Sequence, residues 1–352
     1  MVSSTKAGSH LLRGLGVAGI FILAVLTTLG TGGGGGDGGS NVPSNPLVIT
    51  SSNAVDVAED AGSVVTLAAI PGDYGSLPYG ISVAPQNKMQ SRLRAVFVHA
   101  KSTMNNIAPT DAAGLPQGLH VEIEEQCDTG SVAIVWDDAN DNNLLSGGES
   151  LQLTFNNCHD AMAGITLNGR TTLRVNSITG DPQNDAADWS VSVTLTDENA
   201  SYEDADGKFT FNGSMTMTVT NNATASTQLL KLEGTSYTVT SNSDVASLTN
   251  FMFSTLLNLA LGTYEIDADY TLADSQLGGV ITVVTNPVFS GVYDVGLDVV
   301  ENPTAGKMTI TGAGGSAVTI EPYDDLNALV SLDANGDGTF ENTWQVAWLN
   351  LE

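Results

Sequence analysis

Two stretches of acidic and amide side chains have the spacing of calcium-binding loops. The first lies in residues 135–153, VWDDANDNNLLSGGESLQL. With Asp138 as position 1 of a twelve-residue loop, Glu149 falls at position 12, where a carboxylate can bind calcium through both oxygens. The remaining oxygen-bearing positions are Asn140, Asn142, Leu144 (through its carbonyl) and Ser146. Position 6 is Asn143 instead of glycine, and Asn enters the left-handed region more readily than other residues with a side chain. The spacing predicts a structural Ca²⁺ site.

The second stretch, DANGDGTFENTW, lies close to the C-terminus. Its oxygen-bearing residues at loop positions 1, 3, 5, 7 and 9 are Asp333, Asn335, Asp337, Thr339 and Glu341. Position 12 is Trp344, so a calcium ion would need a further ligand from elsewhere or from water. Magnesium suits such a loop less well because it retains waters. A turn closed by Asp and Asn side chains without any metal is the alternative for both stretches.

The residues flanking the first loop predict a hairpin. Apolar residues alternate before it (Val132, Ile134, Trp136) and after it (Leu151, Leu153, Phe155), which is the period of a strand. Cys127 lies eleven residues before Asp138, and Cys158 lies nine after Glu149, so antiparallel pairing brings the two sulfurs together. A disulfide closing about 30 residues contributes roughly 3–4 kcal/mol in the chain-entropy model. A thiol nucleophile paired with His159 is disfavoured, because adjacent residues on a strand point to opposite faces.

The same alternation continues to the C-terminus, with Thr and Val at high density. The fold class we expect is mainly β: a large antiparallel meander, forming a curved sheet, half-barrel, barrel or sandwich, with one or two N-terminal helices packed on it. Residues 91–108 have a helical stripe, and a weaker helix begins near Asn53, a candidate cap. Residues 247–262 do not alternate clearly and predict a core helix or loop, with a buried strand pair or a lipid-facing segment as the alternatives.

Two Asn-Gly pairs, Asn168-Gly169 and Asn212-Gly213, predict tight turns. They also belong to a repeated sequence pattern, an internal echo in which ITLNGRTTLRV and FTFNGSMTMTV share x-T-x-N-G-x-x-T-x-x-V. Two copies are too few for a repeat architecture, so the echo predicts two similar hairpins in one meander.

The N-terminus has the organisation of an export signal. Lys6 and Arg13 precede an apolar run over residues 15–30, and small residues and a glycine run follow. We expect residues 1–31 to be a signal peptide, cleaved after Gly30 or Gly32, or an N-terminal anchor. Residues 32–47 then form a Gly/Ser/Pro-rich tether, residues 48–118 a mixed segment containing the helix 91–108, and residues 119–352 an antiparallel β domain.

The charge balance narrows the class of function. The chain has 11 Lys and Arg against 39 Asp and Glu, a net charge of −28, which repels nucleic acid and attracts cations. The sequence has no G-x-S-x-G, H-E-x-x-H or phosphate-loop motif, so we expect no enzyme. Membrane contact is expected only through the N-terminal segment, and a partner in the cell envelope or at the cell surface fits the tether.

The glycine tether, the Cys-bracketed first loop and the terminal D-A-N-G-D-G loop resemble uncharacterised β-rich exported proteins and lipoproteins of Gram-negative bacteria. The lipid-accepting cysteine of such lipoproteins is absent before the glycines. The resemblance implies the periplasm, the outer-membrane surface or the extracellular space. We expect a cell-envelope β protein of binding or structural type, stabilised by calcium. The alternatives are a secreted carbohydrate-binding or carbohydrate-active protein that uses exposed tryptophans, and a periplasmic lipid-binding half-barrel with an apolar concave face lined by residues 251–261.

Overall fold

The computed structural model describes residues 42–69, 119–139, 146–161, 164–182, 184, 186–204, 207–241, 244–294 and 299–351. Within these residues the chain forms one α-helix, sixteen β-strands and two short 3₁₀ turns. The expected signal segment, most of the expected tether and the expected helix 91–108 lie outside the described residues. The elements are α1 (Ala54–Ala69), β1 (Leu119–Gln126), β2 (Thr129–Asp138), β3 (Ser150–Asp160), β4 (Ile165–Thr179), β5 (Trp189–Asp204), β6 (Gly207–Asn222), β7 (Thr227–Ser241), β8 (Asp244–Asn258), β9 (Thr263–Asp274), β10 (Gly279–Thr285), β11 (Phe289–Asp294), β12 (Val299–Val300), β13 (Met308–Thr311), β14 (Ala317–Pro322), β15 (Asn327–Asp333) and β16 (Asn342–Ala347), with 3₁₀ turns at Ala313–Gly315 and Trp348–Asn350.

The strands form one open antiparallel meander, as the alternation predicts. Fourteen of them follow a single path in which each strand pairs with its neighbours in the order β1 to β10, then β13 to β16. The other two branch off, because β11 pairs with the first half of β9 and β12 pairs with β11. The path has two ends, β1 and β16, so the sheet is the open alternative among the architectures expected, and not a closed barrel.

Helix α1 packs against this sheet through a stripe of small apolar side chains. The residues with no exposed surface recur at helical spacing: Ala54, Val57, Ala58, Ala61 and Val64. The helix contacts β8, β14 and β15. The side chain of Asn53 accepts hydrogen bonds from the backbone N–H and hydroxyl of Thr50 and donates to Val48 O, so it orders the turn that leads into the helix.

The buried residues form two main clusters on the sheet. The larger, which we call the helix-side core, surrounds α1 and includes strand residues from Leu195 on β5 to Val346 on β16. For strands so far apart in the sheet to share one core around a helix, the sheet must curve around α1. The smaller, which we call the hairpin-side core, lies on β2 to β6 and contains Trp136, Val175 and Trp189.

The Asn-Gly pairs do not form turns, and that prediction is wrong. They lie inside β4 and β6, opposite β-bulges in the preceding strands. Asn168 Oδ1 accepts the backbone N–H of Asn157, and Asn212 Oδ1 accepts that of Asn199, in each case a bulged residue with positive φ. The following glycines, also at positive φ, have no room for a Cβ beside the neighbouring backbone. The echoed sequence therefore marks two equivalent bulged strand pairs, β3–β4 and β5–β6.

The expected core helix or loop at residues 247–262 is also wrong. This stretch lies in β8 and the turn after it, and burial alternates along the second half of the strand, from residue 251. Phe251, Phe253, Thr255 and Leu257 are buried, whereas Met252, Ser254 and Leu256 between them are partly exposed. Apolar Met252 and Leu256 on the outer face hide the period of two in the sequence.

The last residues of the expected tether already belong to the fold. Pro46 forms a parallel bridge with Val280, and Leu47 N donates to Val280 O at 2.9 Å. Leu47 O also accepts the N–H of Ala313, at 2.6 Å. Within the described residues no helix has the length and hydrophobicity needed to cross a bilayer.

Candidate metal sites in two acidic hairpins

The second acidic loop connects β15 to β16 and is described in full. Asp333 is the last residue of β15 and is only 6% exposed, whereas residues 334–343 are exposed. The loop therefore has one acidic side chain anchored at the edge of the core and the others facing solvent.

The loop's backbone is folded around the Asp333 carboxylate. Asp333 Oδ1 accepts the N–H groups of Gly336 at 2.7 Å and Asp337 at 3.2 Å, and Oδ2 accepts that of Gly338 at 2.8 Å. Asn335 Oδ1 accepts the Asp337 N–H at 2.8 Å. Gly336 and Gly338 have φ of 74° and 85°, which explains glycine at both positions.

Three carboxylates converge at this tip. One oxygen each from Asp333, Asp337 and Glu341 lies within 4.8 Å of the others. Glu341 Oε2 also accepts the N–H of Ala334 at 2.8 Å. The backbone N–H of Thr339 holds the pKa of Asp337 below its usual value, because the hydrogen bond favours the ionised form. The arrangement offers hard, anionic oxygens to a cation of the calcium type. Trp344 is half-buried against the helix-side core.

The loop also contacts the turn that holds the N-terminal segment. A Cβ on Gly336 would lie 2.9 Å from the carbonyl oxygen of Gly315, so the two backbones are in close contact. In that same turn, Ser316 Oγ accepts the N–H of Ile49 at 3.3 Å. The tip of β15–β16 therefore rests against backbone that is tied to the beginning of the folded region.

The first acidic loop connects β2 to β3, as the flanking alternation predicts. Asn140, Asn142 and Leu144 lie outside the described residues, so only part of this loop can be placed. Asp138 ends β2, in register with Leu119 of β1. At the other side of the tip, Glu149 is 1% exposed and its Oε2 accepts the N–H of Ser146 at 2.7 Å. The residue predicted as the bidentate ligand is thus a buried carboxylate directed to the loop.

The predicted disulfide is confirmed at the base of this hairpin. Cys127 and Cys158 are bonded, with Cα atoms 5.3 Å apart and a sequence separation of 31. The carboxylate of Asp128, next to Cys127, accepts the N–H of Ala161 at 2.7 Å. The hairpin is therefore closed covalently at one end and by a buried acid at the other.

One buried acidic network was not anticipated from the sequence. Asp197 on β5 is 3% exposed, and it accepts hydrogen bonds from the hydroxyls of Thr171, at 2.6 Å, and Tyr237. Burial raises the pKa of Asp197, and the two hydrogen bonds lower it. The sequence does indicate this buried acid, because Asp197 follows Val193 and Leu195 at the spacing of two that places residues on the inward face of β5. An acid at an inward strand position needs buried donors.

The tryptophans lie mostly in the cores. Trp136, Trp189 and Trp348 are 1%, 4% and 6% exposed, and Trp344 is half-buried. The carbohydrate alternative expects tryptophans on the surface, and these side chains offer no exposed stacking platform. The concave face around Phe251 and Phe253, expected to be open in the lipid-binding alternative, is part of the core that surrounds α1.

No family model, no curated protein and no solved structure matches the chain.

Proposed function

We propose that this chain is an exported cell-envelope β protein of binding or structural type, in which calcium bound at two acidic hairpin tips stiffens the sheet. The observation that carries the proposal is the convergence of Asp333, Asp337 and Glu341 within 4.8 Å at loop positions 1, 5 and 9. Three carboxylates so close repel one another, and a divalent cation between them removes that repulsion.

The first hairpin supports the same proposal through a buried acidic residue at its tip. Glu149 at position 12 is a buried carboxylate, and burying an ionised carboxylate costs free energy unless it has a partner of opposite charge or strong donors. The Ser146 N–H is one such donor, and a calcium ion in the loop would add a partner of opposite charge. The disulfide fixes the base of the hairpin, which restricts the conformations of the tip before an ion binds.

Export is supported by the N-terminal sequence and by the disulfide. Disulfides persist in oxidising compartments and are rare in the cytosol. The net charge of −28 suits a surface exposed to cations, and extracellular calcium modules bind at about 10⁻⁴–10⁻³ M.

Calcium binding is tested by isothermal titration calorimetry on the purified protein. We expect calcium to bind with a dissociation constant of about 10⁻⁴–10⁻³ M, and magnesium to bind much more weakly. Glu341→Gln should weaken the second site. The matched control is Glu321→Gln, which removes a carboxylate on neighbouring β14 that pairs with Lys307 and lies outside the loop. No calcium heat, or equal effects of the two variants, would contradict the proposal.

Export is tested separately, by expression in a Gram-negative bacterium followed by fractionation and intact-mass measurement. We expect protein in the cell envelope or medium, with either an N-terminus after Gly30 or Gly32 or an intact anchor in the membrane fraction. Full-length protein in the cytosol with reduced cysteines would contradict export and leave the calcium result standing by itself.

A further inference from the structure

The chain enters its fold through a short extended stretch, residues 45–49, which we call the entry segment. Leu47 and Ile49 are buried, whereas Val48 between them is 61% exposed. Alternating burial of this kind is typical of a strand that lies on a core. The glycine-rich run of the expected tether, residues 32–39, lies upstream of the entry segment, and α1 follows shortly after it. The entry segment therefore joins the tether to the folded region.

The entry segment completes the sheet beside the first residues of β10. On one side β10 pairs with β9, and on the other β13 pairs with Thr282–Thr285. Ahead of β13 on that second side, the Val280 N–H donates to Asn45 O at 3.0 Å, and the Leu47 N–H donates to Val280 O at 2.9 Å. These two hydrogen bonds form a parallel bridge, so the entry segment occupies the position of a short strand.

The opposite side of the entry segment contacts the turn between β13 and β14. The Ala313 N–H donates to Leu47 O at 2.6 Å, and the Ile49 N–H donates to Ser316 Oγ at 3.3 Å. The Ser316 hydroxyl in turn donates to Ala313 O at 2.9 Å, and Ser316 is 1% exposed. The entry segment is therefore hydrogen-bonded on both sides to parts of the chain that are distant in sequence.

Two glycines leave the space that the entry segment occupies. A Cβ on Gly279 would lie 2.7 Å from Leu47 Cα, and a Cβ on Gly312 would lie 2.3 Å from Leu47 O. At both positions the atoms nearest the added Cβ belong to the entry segment. Neither glycine has a positive φ, so what these positions require is space and not an unusual backbone conformation. Substitution of either by alanine should therefore displace the entry segment.

We propose that the entry segment is a mechanical attachment point, which transmits tension on the tether into the sheet and keeps it off α1. Its four hydrogen bonds to β10 and to the β13–β14 turn run across the direction of the chain. A pull along the extended segment therefore loads all of them together, whereas peeling would break them one after another. The contacts themselves do not involve the calcium loops. The inference rests on the proposed function only for the source of the tension, which is attachment to the cell envelope.

Amide hydrogen exchange of the intact protein tests whether the entry segment is held in place. We expect residues 45–50 to exchange slowly in the parent, and Gly279→Ala to lower their protection factors at least about tenfold while β5 and β6 keep theirs. Gly312→Ala should have the same effect from the other side of the segment. The matched control is Gly147→Ala, because a Cβ there has only ordinary contacts, the nearest at 3.6 Å.

Three results of the exchange experiment would overturn the proposal. The first is rapid exchange of residues 45–50 in the parent. The second is unchanged protection in both glycine variants. The third is an equal loss of protection in β5 and β6, because that pattern indicates global destabilisation.

Stretching of single molecules tests whether the segment carries tension. One handle is attached to the N-terminal tether and the other to a thiol introduced on β5 by Glu198→Cys, since Glu198 is exposed and the native cysteines are bonded to each other. The 28 residues 42–69 extend to about 100 Å, so an early release of the entry segment and α1 gives a step of at least that length.

We expect no such step before the sheet unfolds in the parent, and an early step at low force in Gly279→Ala. An early step in the parent, or equal forces in the parent and the variant, would overturn the proposal. Both measurements use purified protein, so a failure of export in cells is distinguishable from a failure of this inference.

Discussion

The acidic hairpins β2–β3 and β15–β16 have similar loop sequences, but their rigidity has different sources. The first is cross-linked at its base by Cys127–Cys158 and has one buried acid, Glu149, at its tip. The second has no cysteine, and its tip is ordered by three backbone N–H groups that point to Asp333. In the first hairpin the constraint is a covalent bond distant from the tip. In the second it lies within the tip, where the backbone N–H groups bound to Asp333 form what we call a nest.

The second hairpin shows that a loop with the spacing of a calcium site can also be closed by hydrogen bonds from its own backbone. The second loop realises the metal-free turn geometry and gathers three carboxylates at the same time. A cation there would bind to a tip that is already folded. In the first hairpin, by contrast, a cation would act directly on a buried acid.

The largest effect is expected from opening the disulfide. Replacing Cys127 and Cys158 together with serine should lower the free energy of unfolding by about 3–4 kcal/mol, because the unfolded chain loses its cross-link. Urea denaturation measures this loss. The calcium affinity of the first hairpin should fall and that of the second should not. An equal loss of affinity at both tips would remove the distinction between them.

The next effect is expected from Asp333→Ala. It leaves the N–H groups of Gly336, Asp337 and Gly338 without their acceptor, which should cost about 1–3 kcal/mol in calcium-free buffer. Calcium binding at the second tip should also be lost. Chemical denaturation with and without calcium measures both effects. Unchanged stability without calcium would show that the nest does not order the loop.

A smaller effect on stability is expected from Glu149→Gln. The amide keeps an oxygen for the Ser146 N–H, so the calcium-free stability should change by no more than about 1 kcal/mol. The calcium response of the first hairpin should nevertheless weaken by about tenfold or more, since bidentate binding is lost. Calorimetry measures the affinity. A retained affinity would mean that Glu149 is not a ligand.

The smallest effect is expected from Asp324→Ala, in a turn of the same kind at the other end of β15. Hydrogen bonds from Leu326 and Asn327 hold the pKa of Asp324 below 3.8, so its contribution is present above that pH and is lost as the pH falls through the lowered value. The variant should be slightly less stable at neutral pH and equal to the parent in strong acid, as thermal unfolding against pH would show. Its calcium response should be unchanged, and a changed one would mean that the calcium effect is not confined to the two tips.

Much of the fold could be predicted because burial alternates with the period of a strand. The meander, the hairpin β2–β3 and its disulfide follow from apolar residues such as Ile134 and Leu153 and from the nearly equal distances of the two cysteines from the loop. The bulges could not be predicted in the same way. Asn168-Gly169 is a common turn signal in isolation, and only pairing with a bulged neighbour shows that the Asn side chain serves the backbone of another strand.

The acidic residues of the candidate site could be predicted from the sequence, but their contacts with the rest of the fold could not. The spacing identifies Asp333, Asp337 and Glu341, because loop positions are local in sequence. The contact of Gly336 with Gly315 depends on the order of strands in space. Tertiary contacts of this kind leave no local pattern.

The central claim is that calcium stabilises the folded chain at both tips, and thermal unfolding at increasing calcium concentration tests it most directly. One site adds about 2.7 kcal/mol at a hundredfold excess over its dissociation constant, so two independent sites should add roughly twice as much. We predict a calcium-specific rise that falls by about half in Asp333→Ala, by about a quarter or more in Glu149→Gln, and by about three quarters or more in the double variant. No rise, or a rise that magnesium or sodium chloride reproduces equally, would contradict the account and leave both tips as metal-free turns.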